Sequence, residues 1–332
     1  MTALRLPLSR LPQDGVARDD FLCEYFCERV PTARREGDEW VIETETAPSA
    51  DFYADDRLGE GVAWWDPRLS VDGIPLATRD MGGWHLALND AWTLAAWSDH
   101  FAELGEVPKQ IVVLHVDDHD DLMSPRLSLV GERLVDLLTG ESVNLVRPDS
   151  VRSAIHSGSI AQGSFLAPLI HAAAEVEIRH LCQTQYAKDR VGNFSIESIT
   201  VADDLIAPGA ERPAVRLRPE FERPGSTYRA TSDPTEWISD LPDGVVLLHV
   251  DFDYFNNRFN GDSDWRTQSD RHDPPLDDVL RQIRHTIQAV AECGLPVASI
   301  AAALSPGFFP AEMWEPAVAC FSESIRSVLD RR

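Results

Sequence analysis

Two apolar runs that each end in acids constrain this chain more than any other feature. The first reads Ile111-Val112-Val113-Leu114-His115-Val116-Asp117-Asp118-His119-Asp120-Asp121, the second Val245-Val246-Leu247-Leu248-His249-Val250-Asp251-Phe252-Asp253. Continuous apolar runs rich in β-branched residues predict strands buried on both faces. Burying the acids that follow without counter-charge costs several kcal/mol or more per ion, so a cation belongs among them. In an extended chain, residues two apart share a side. That groups Asp117, His119 and Asp121, groups Asp251 with Asp253, and turns Asp118 and Asp120 away. A solvated acidic loop after each strand is the plain alternative; two such loops with the same alternation favour the metal.

Carboxylates with one or two imidazoles form a hard to borderline donor set, suited to Mn²⁺ and open to Zn²⁺ or Fe²⁺. There are more acids than one divalent ion needs, whereas shared carboxylates can hold two ions ~3.5–4 Å apart and supply hydroxide near neutral pH.

Residues 40–46, 178–184, 196–201 and 297–304 also predict strands. Residues 86–101, 165–174 and 276–291 predict helices, with a short one over 134–138 closed by Gly140. Strands alternating with helices predict an α/β protein with a mostly parallel sheet covered on both faces. In such sheets ligands bind beyond the carboxyl ends of the strands, where both acidic runs lie. Residues 1–75 read as an N-terminal extension packed on a main domain of 76–332. A Pro-, Gly-, Arg- and Glu-rich stretch at about 203–240 reads as a surface insertion, a lid or binding loop near the site. Residues 157–164 form a small-residue loop into a helix, either a place for backbone N–H groups to meet an anion or plain connection. Gly82 and Gly83 allow a tight turn that would put His85 at a helix start, facing the strand ends.

The net charge of −25 argues against nucleic acid, since phosphate binding needs clustered Lys and Arg. It suits a cationic substrate through steering, and serves solubility equally well. Five scattered Cys make no disulfide framework; Cys23 and Cys27, four apart, read as buried thiols on one helix face. No basic start leads into an apolar segment and no apolar run reaches transmembrane length, so the expectation is a cytoplasmic protein with no membrane partner. Self-association stays open.

Asp117-Asp118-His119-Asp120-Asp121 resembles the Asp-x-His-x-Asp motif of arginases and other ureohydrolases, and Asp251-Phe252-Asp253 their second metal motif, Asp-x-Asp. Gly82-Gly83-Trp84-His85 is similar to their Gly-Gly-Asp-His segment, with Trp84 in place of the acid. Order and spacing agree over about residues 80–330. The resemblance implies a three-layer α/β/α arginase-like fold and two Mn²⁺ ions. Asp117 and Asp251 would bridge them, His85 and Asp121 would complete one site, and His119 and Asp253 the other. His156, followed by Gly158, Gly163 and Phe165, resembles the family's proton-shuttle His.

The chain departs from the family where a further Asp-Pro should follow Asp253 and reads Tyr254-Phe255 instead. The guanidinium-orienting acid is also absent at Leu304-Ser305, although Glu312 lies just beyond. These stretches look more like the atypical arginase-like family that includes peptide arginases, which convert Arg in ribosomally made precursor peptides to ornithine and urea. An arginine-containing precursor peptide is thus the implied substrate. A small guanidine substrate such as arginine or agmatine is the alternative, as is a metal-stabilised protein that binds a peptide without turnover.

Overall fold

A computed structural model of the chain describes residues 4–26, 30–45, 52, 54–183, 191–219, 225–262, 264–269 and 271–331. β1 (Leu4–Pro7), β2 (Val30–Glu36) and β3 (Glu39–Glu45) form a small antiparallel sheet in the order β1-β3-β2. Leu22 and Phe26 of α1 (Gly15–Phe26) share a small core with Trp40 and Ile42 of β3 and with the distant Leu205. Cys23 lies on the solvent side of α1 rather than in that core, and Cys27 lies outside the described residues. α2 (Leu58–Trp65) belongs to the main core instead. A Cβ on its Gly61 would stand 2.5 Å from the Trp314 ring, so only glycine allows that approach.

The remaining strands are β4 (Thr78–Asp80), β5 (His85–Ala87), β6 (Gln110–Val116), β7 (Leu127–Val130), β8 (Arg133–Asp136), β9 (Ser142–Val143), β10 (Glu175–Leu181), β11 (Gly192–Ala202), β12 (Glu211–Arg218), β13 (Thr227–Thr231), β14 (Val245–Asp251) and β15 (Val297–Ala303). Nine of them make one sheet, in the order β12-β11-β13-β10-β6-β14-β15-β5-β4. The six from β13 to β5 run parallel. β11 pairs antiparallel with both β13 and β12 at one end and β4 pairs antiparallel with β5 at the other, so the sheet is mixed with a parallel centre.

Each face of that centre is buried by a different set of helices. Ile111 and Val113 of β6 face one core, with α3 (Trp92–Leu104), α4 (Pro148–Ser157) and α5 (Leu166–Ala172). Val112, Leu114 and Val116 face the other, with α7 (Leu276–Glu292) and α8 (Trp314–Ser324). This explains why β6 and β14 are apolar at nearly every position: alternation puts half of each strand into each core.

Several expected elements differ. Residues 86–101 are not one helix. Gly82 and Gly83, at φ +74 and +115, close the β4–β5 hairpin, and α3 begins only at Trp92. The stretch 134–138 is strand and turn, not helix: β8 ends at Asp136 and pairs with β7 and β9, and Gly140 at φ +76 serves the turn between β8 and β9. The segment at about 203–240 carries structure rather than a bare loop. β13 lies inside the large sheet, pairing in parallel with β10, and Trp237 of α6 (Pro234–Trp237) is buried. Its arginines hid this, because long cationic side chains cover apolar surface while their heads stay wet.

Candidate metal centre

Register assembles the site. His115 of β6 lies level with His249 of β14, and Val116 with Val250, so Asp117 and Asp251 meet at the carboxyl edge of the sheet. There both chains leave the strand by the same local turn. The N–H of His119 donates to Asp117 Oδ1 at 2.7 Å, and that of Asp253 to Asp251 Oδ1 at 3.1 Å. The N–H of Asp118 donates to Asp253 Oδ1 at 3.2 Å and so ties the two turns together. Asp121 sits at φ +50, a left-handed conformation that Asp tolerates better than most side chains.

Two groups of donor atoms result, each with its atoms within 4.8 Å of one another: Asp117, His119 and Asp253, and His115, Asp117, Asp121 and His249. Asp117 belongs to both. In the first group His119 Nδ1 lies 2.9 Å from Asp253 Oδ2 and 3.5 Å from Asp117 Oδ1. Asp251 adjoins both groups, held at Oδ2 by the Ser305 hydroxyl at 2.5 Å. Ser305 itself is at φ +40.

The electrostatics ask for a cation. Asp117, Asp121, Asp251 and Asp253 are all buried, and Asp117 Oδ2 and Asp121 Oδ2 have no hydrogen-bond partner among the described residues. Burial, then the neighbouring acids, hold Asp117, Asp121 and Asp251 well above the ordinary carboxyl value; for Asp117 those neighbours are Asp253 and Asp251. Burial opposes the charged form of His119, but the Asp253 carboxylate together with Asp118 and Asp121 outweighs it and holds the imidazole well above its usual value. Protons thus stand where positive charge is missing. Buried lone pairs on a hard to borderline donor set fit divalent ions such as Mn²⁺.

His115 and His249 are neutral: burial, then their imidazole neighbours, hold His115 far below its ordinary value and His249 at about 3. Their hydrogen bonds assign the tautomers by elimination. The His119 carbonyl, 3.1 Å from His115 Nε2, can only accept, so His115 Nε2 carries the hydrogen. His115 Nδ1 is then an acceptor, and His249 Nδ1, 3.0 Å away, donates to it. The His249 nitrogen that faces Asp117, at 3.7 Å, is this same protonated Nδ1. Close as they are to the acids, the two imidazoles form a neutral floor whose nitrogens facing the acids are protonated, while His249 Nε2 is left without a hydrogen-bond partner among the described residues. His180 extends it, lying 3.0 Å from the Asp117 carbonyl and 2.5 Å from the Tyr228 hydroxyl.

Of the residues singled out in the sequence, Asp117, His119, Asp121, Asp251 and Asp253 come together. His85 and His156 do not join the donor groups. β5 pairs so that Ala87, not His85, is level with the Ala303–Asp251 row, which leaves His85 two residues short of the edge. There it lines a separate hollow with Trp92, Asp99 and Arg152. His156 is exposed at the end of α4, with Nδ1 donating to the Arg152 carbonyl at 2.8 Å and its ring edge-on to Trp92. Glu312 is engaged by Arg258 at 2.6 Å.

Sequence reasoning missed the roles of His115, His249 and Asp118. The first two carried a readable signal: each stands two residues before the first acid of its run, on the same face. Asp118 joins neither donor group, but it is buried and accepts from Asn257 Nδ2 at 2.9 Å. Asn257 in turn holds Asn260, whose Oδ1 lies 3.4 Å from His119 Nε2. No helix among the described residues is long and apolar enough to cross a membrane. No family model and no curated protein matches the chain.

Proposed function

We propose that the cluster holds two manganese ions and that the protein hydrolyses the guanidinium group of an arginine side chain in a precursor peptide, giving ornithine and urea. The observation that carries this reading is the sharing of Asp117 between two donor groups, one with His119 and Asp253 and the other with Asp121. When bound, such a pair of ions supplies Lewis acidity and lowers the pKa of a shared water toward neutrality.

The chain's own residues do the rest. Asp117 would be the shared ligand and Asp251 the acid beside it, and the Ser305 hydroxyl and the His119 and Asp253 amides orient their oxygens. Asn260 accepts from His119 Nε2, which leaves Nδ1 to donate its lone pair on the Asp117 and Asp253 side. The neutral His115–His249 pair adds no positive charge beneath the acids, so the mouth of the site draws a cation such as guanidinium. Hydrolysis adds the oxygen of water to the guanidinium carbon and breaks its bond to the side-chain nitrogen; the peptide keeps the amine and the carbon leaves as urea. The order of the two acidic motifs supports this chemistry, and the net charge of −25 suits a basic peptide.

The test is to incubate the Mn²⁺-loaded protein with arginine-containing peptides and follow the mass lost as Arg becomes ornithine, with free arginine and agmatine as competitors. Loss of that mass from peptide, weakly competed by the small molecules, is expected. No urea from peptide, arginine or agmatine overturns the hydrolase reading.

A further inference from the structure

We infer that Asp90, and not an imidazole of the β5 segment, is the side chain that this part of the chain brings to the ion beside Asp117 and Asp121. The inference rests on the two-ion reading above. β5 ends at Ala87, level with Ala303 and through it with Asp251, so the residues that pass the carboxyl edge of the sheet are Leu88, Asn89 and Asp90. Asn89 fixes the turn, its Oδ1 accepting the Ala91 N–H at 2.9 Å, while the Asp90 carbonyl accepts the Thr93 N–H at 2.8 Å as α3 begins. The position of Asp90 is therefore set from both sides, and the residue is 1% exposed.

Its carboxylate adjoins the cluster, one residue removed from the two donor groups. Asp90 Oδ2 accepts the N–H of Gly163 at 2.8 Å, and a Cβ on Gly163 would lie 3.7 Å from Asp121 Oδ1, so the glycine stands between the two acids and leaves them room to approach. The negative charge of Asp90 is felt by Asp117, Asp121 and Asp251 alike. The buried, unpartnered oxygens Asp117 Oδ2 and Asp121 Oδ2 call for a ligand here, and the two histidines nearest them spend their facing nitrogens on each other and on the His119 carbonyl.

The donors left on this side are Asp90, Asp117, Asp121 and Asp251. An all-oxygen set selects a hard ion, Mn²⁺ or Mg²⁺, whereas the His119 side, with one nitrogen, also accepts Zn²⁺. The two sites are thereby unequal in the metal they prefer.

Calorimetric titration with MnCl₂ and electron paramagnetic resonance of the bound ions test this. Asp90→Asn should keep its Gly163 hydrogen bond, because the amide oxygen still accepts, and should fold with a melting temperature in chelator no lower than wild type. It should bind one Mn²⁺ as wild type does and the other at least ~10-fold more weakly, the lower end of what losing even an outer-shell partner costs. The spin coupling between the ions should disappear with the second ion. Asp90→Glu should restore part of the affinity, and His85→Ala should bind both ions normally. Two unchanged Mn²⁺ sites in Asp90→Asn, or the loss of one in His85→Ala, overturns the assignment of Asp90 alone. A wild-type protein that binds no Mn²⁺ overturns the two-ion reading with it.

Discussion

Replacing the shared acid separates a metal centre from a merely acidic loop, because the two respond with opposite signs. Asp117→Asn keeps an oxygen to accept the His119 N–H and removes one buried negative charge. Without metal the folded state should be relieved, since burial and the neighbouring Asp253 and Asp251 already press Asp117 toward its neutral form. With metal the effect reverses. At a Mn²⁺ concentration ~100 times its dissociation constant, each ion stabilises the native state by about 2.7 kcal/mol. An unfolding entropy of about 2.1 cal/mol/K per residue, over 332 residues, is roughly 0.7 kcal/mol per degree. Each ion is then worth about 4 °C in melting temperature and the pair about 8 °C.

Differential scanning calorimetry in chelator and in Mn²⁺ should show that rise in the wild type. In Asp117→Asn it should show little of it, starting from a melting temperature in chelator at or above that of wild type. A variant that keeps the full rise, or a wild type that shows none, refutes the shared-ligand argument.

The pH dependence of the metal-free protein follows from the same acids. Asp117, Asp121 and Asp251 have raised folded values, so the native state keeps protons that the unfolded chain gives up above the ordinary 3.8; stability therefore falls as pH rises from there, and His119, also raised, extends the fall above 6.5. Urea unfolding in chelator at pH 5.5 and pH 8 should show the loss, and Mn²⁺ should remove most of it; a metal-free protein more stable at pH 8 contradicts this. Ser305→Ala strips Asp251 of its 2.5 Å hydroxyl donor and should weaken Mn²⁺ binding by roughly 10–100-fold, read by titration; unchanged affinity counts against a ligand role for Asp251. Nitrogen chemical shifts of labelled imidazoles should report a protonated Nε2 on His115 and a protonated Nδ1 on His249 from pH 5 to 8, and the opposite tautomers would undo the argument that neither faces a cation with a lone pair.

The acidic strands were legible in the sequence because buried parallel strands write themselves as unbroken apolar runs and acids after such runs have few structural excuses. The alternation argument picked out side chains that the structure does bring together, though not by extended backbone. Extended backbone stops at Val116 in one run and Asp251 in the other, and beyond those points turns held by Asp117 and Asp251 carry the next donors inward. His85 could not be placed from its motif alone, because only strand register shows that it stops two residues short of the sheet edge. Asp90 carries no sequence signal of its own, since an Asn-Asp pair before a helix looks like ordinary capping. The strands in the charged stretch near residue 211 were hidden by arginines, and β13 shows its place only through its parallel pairing with β10.

The amide of Asp118 bonds the carboxylate of Asp253 across 135 positions of chain. Local folding cannot assemble the acids, for they come together only once β6 and β14 have paired, a late and entropically costly closure. A nascent chain therefore keeps Asp117 and Asp121 apart from Asp251 and Asp253 until these two strands pair. Metal should enter last, as a lock on a finished sheet rather than a seed for it, so that adding Mn²⁺ to refolding protein slows unfolding while leaving the rate of folding unchanged.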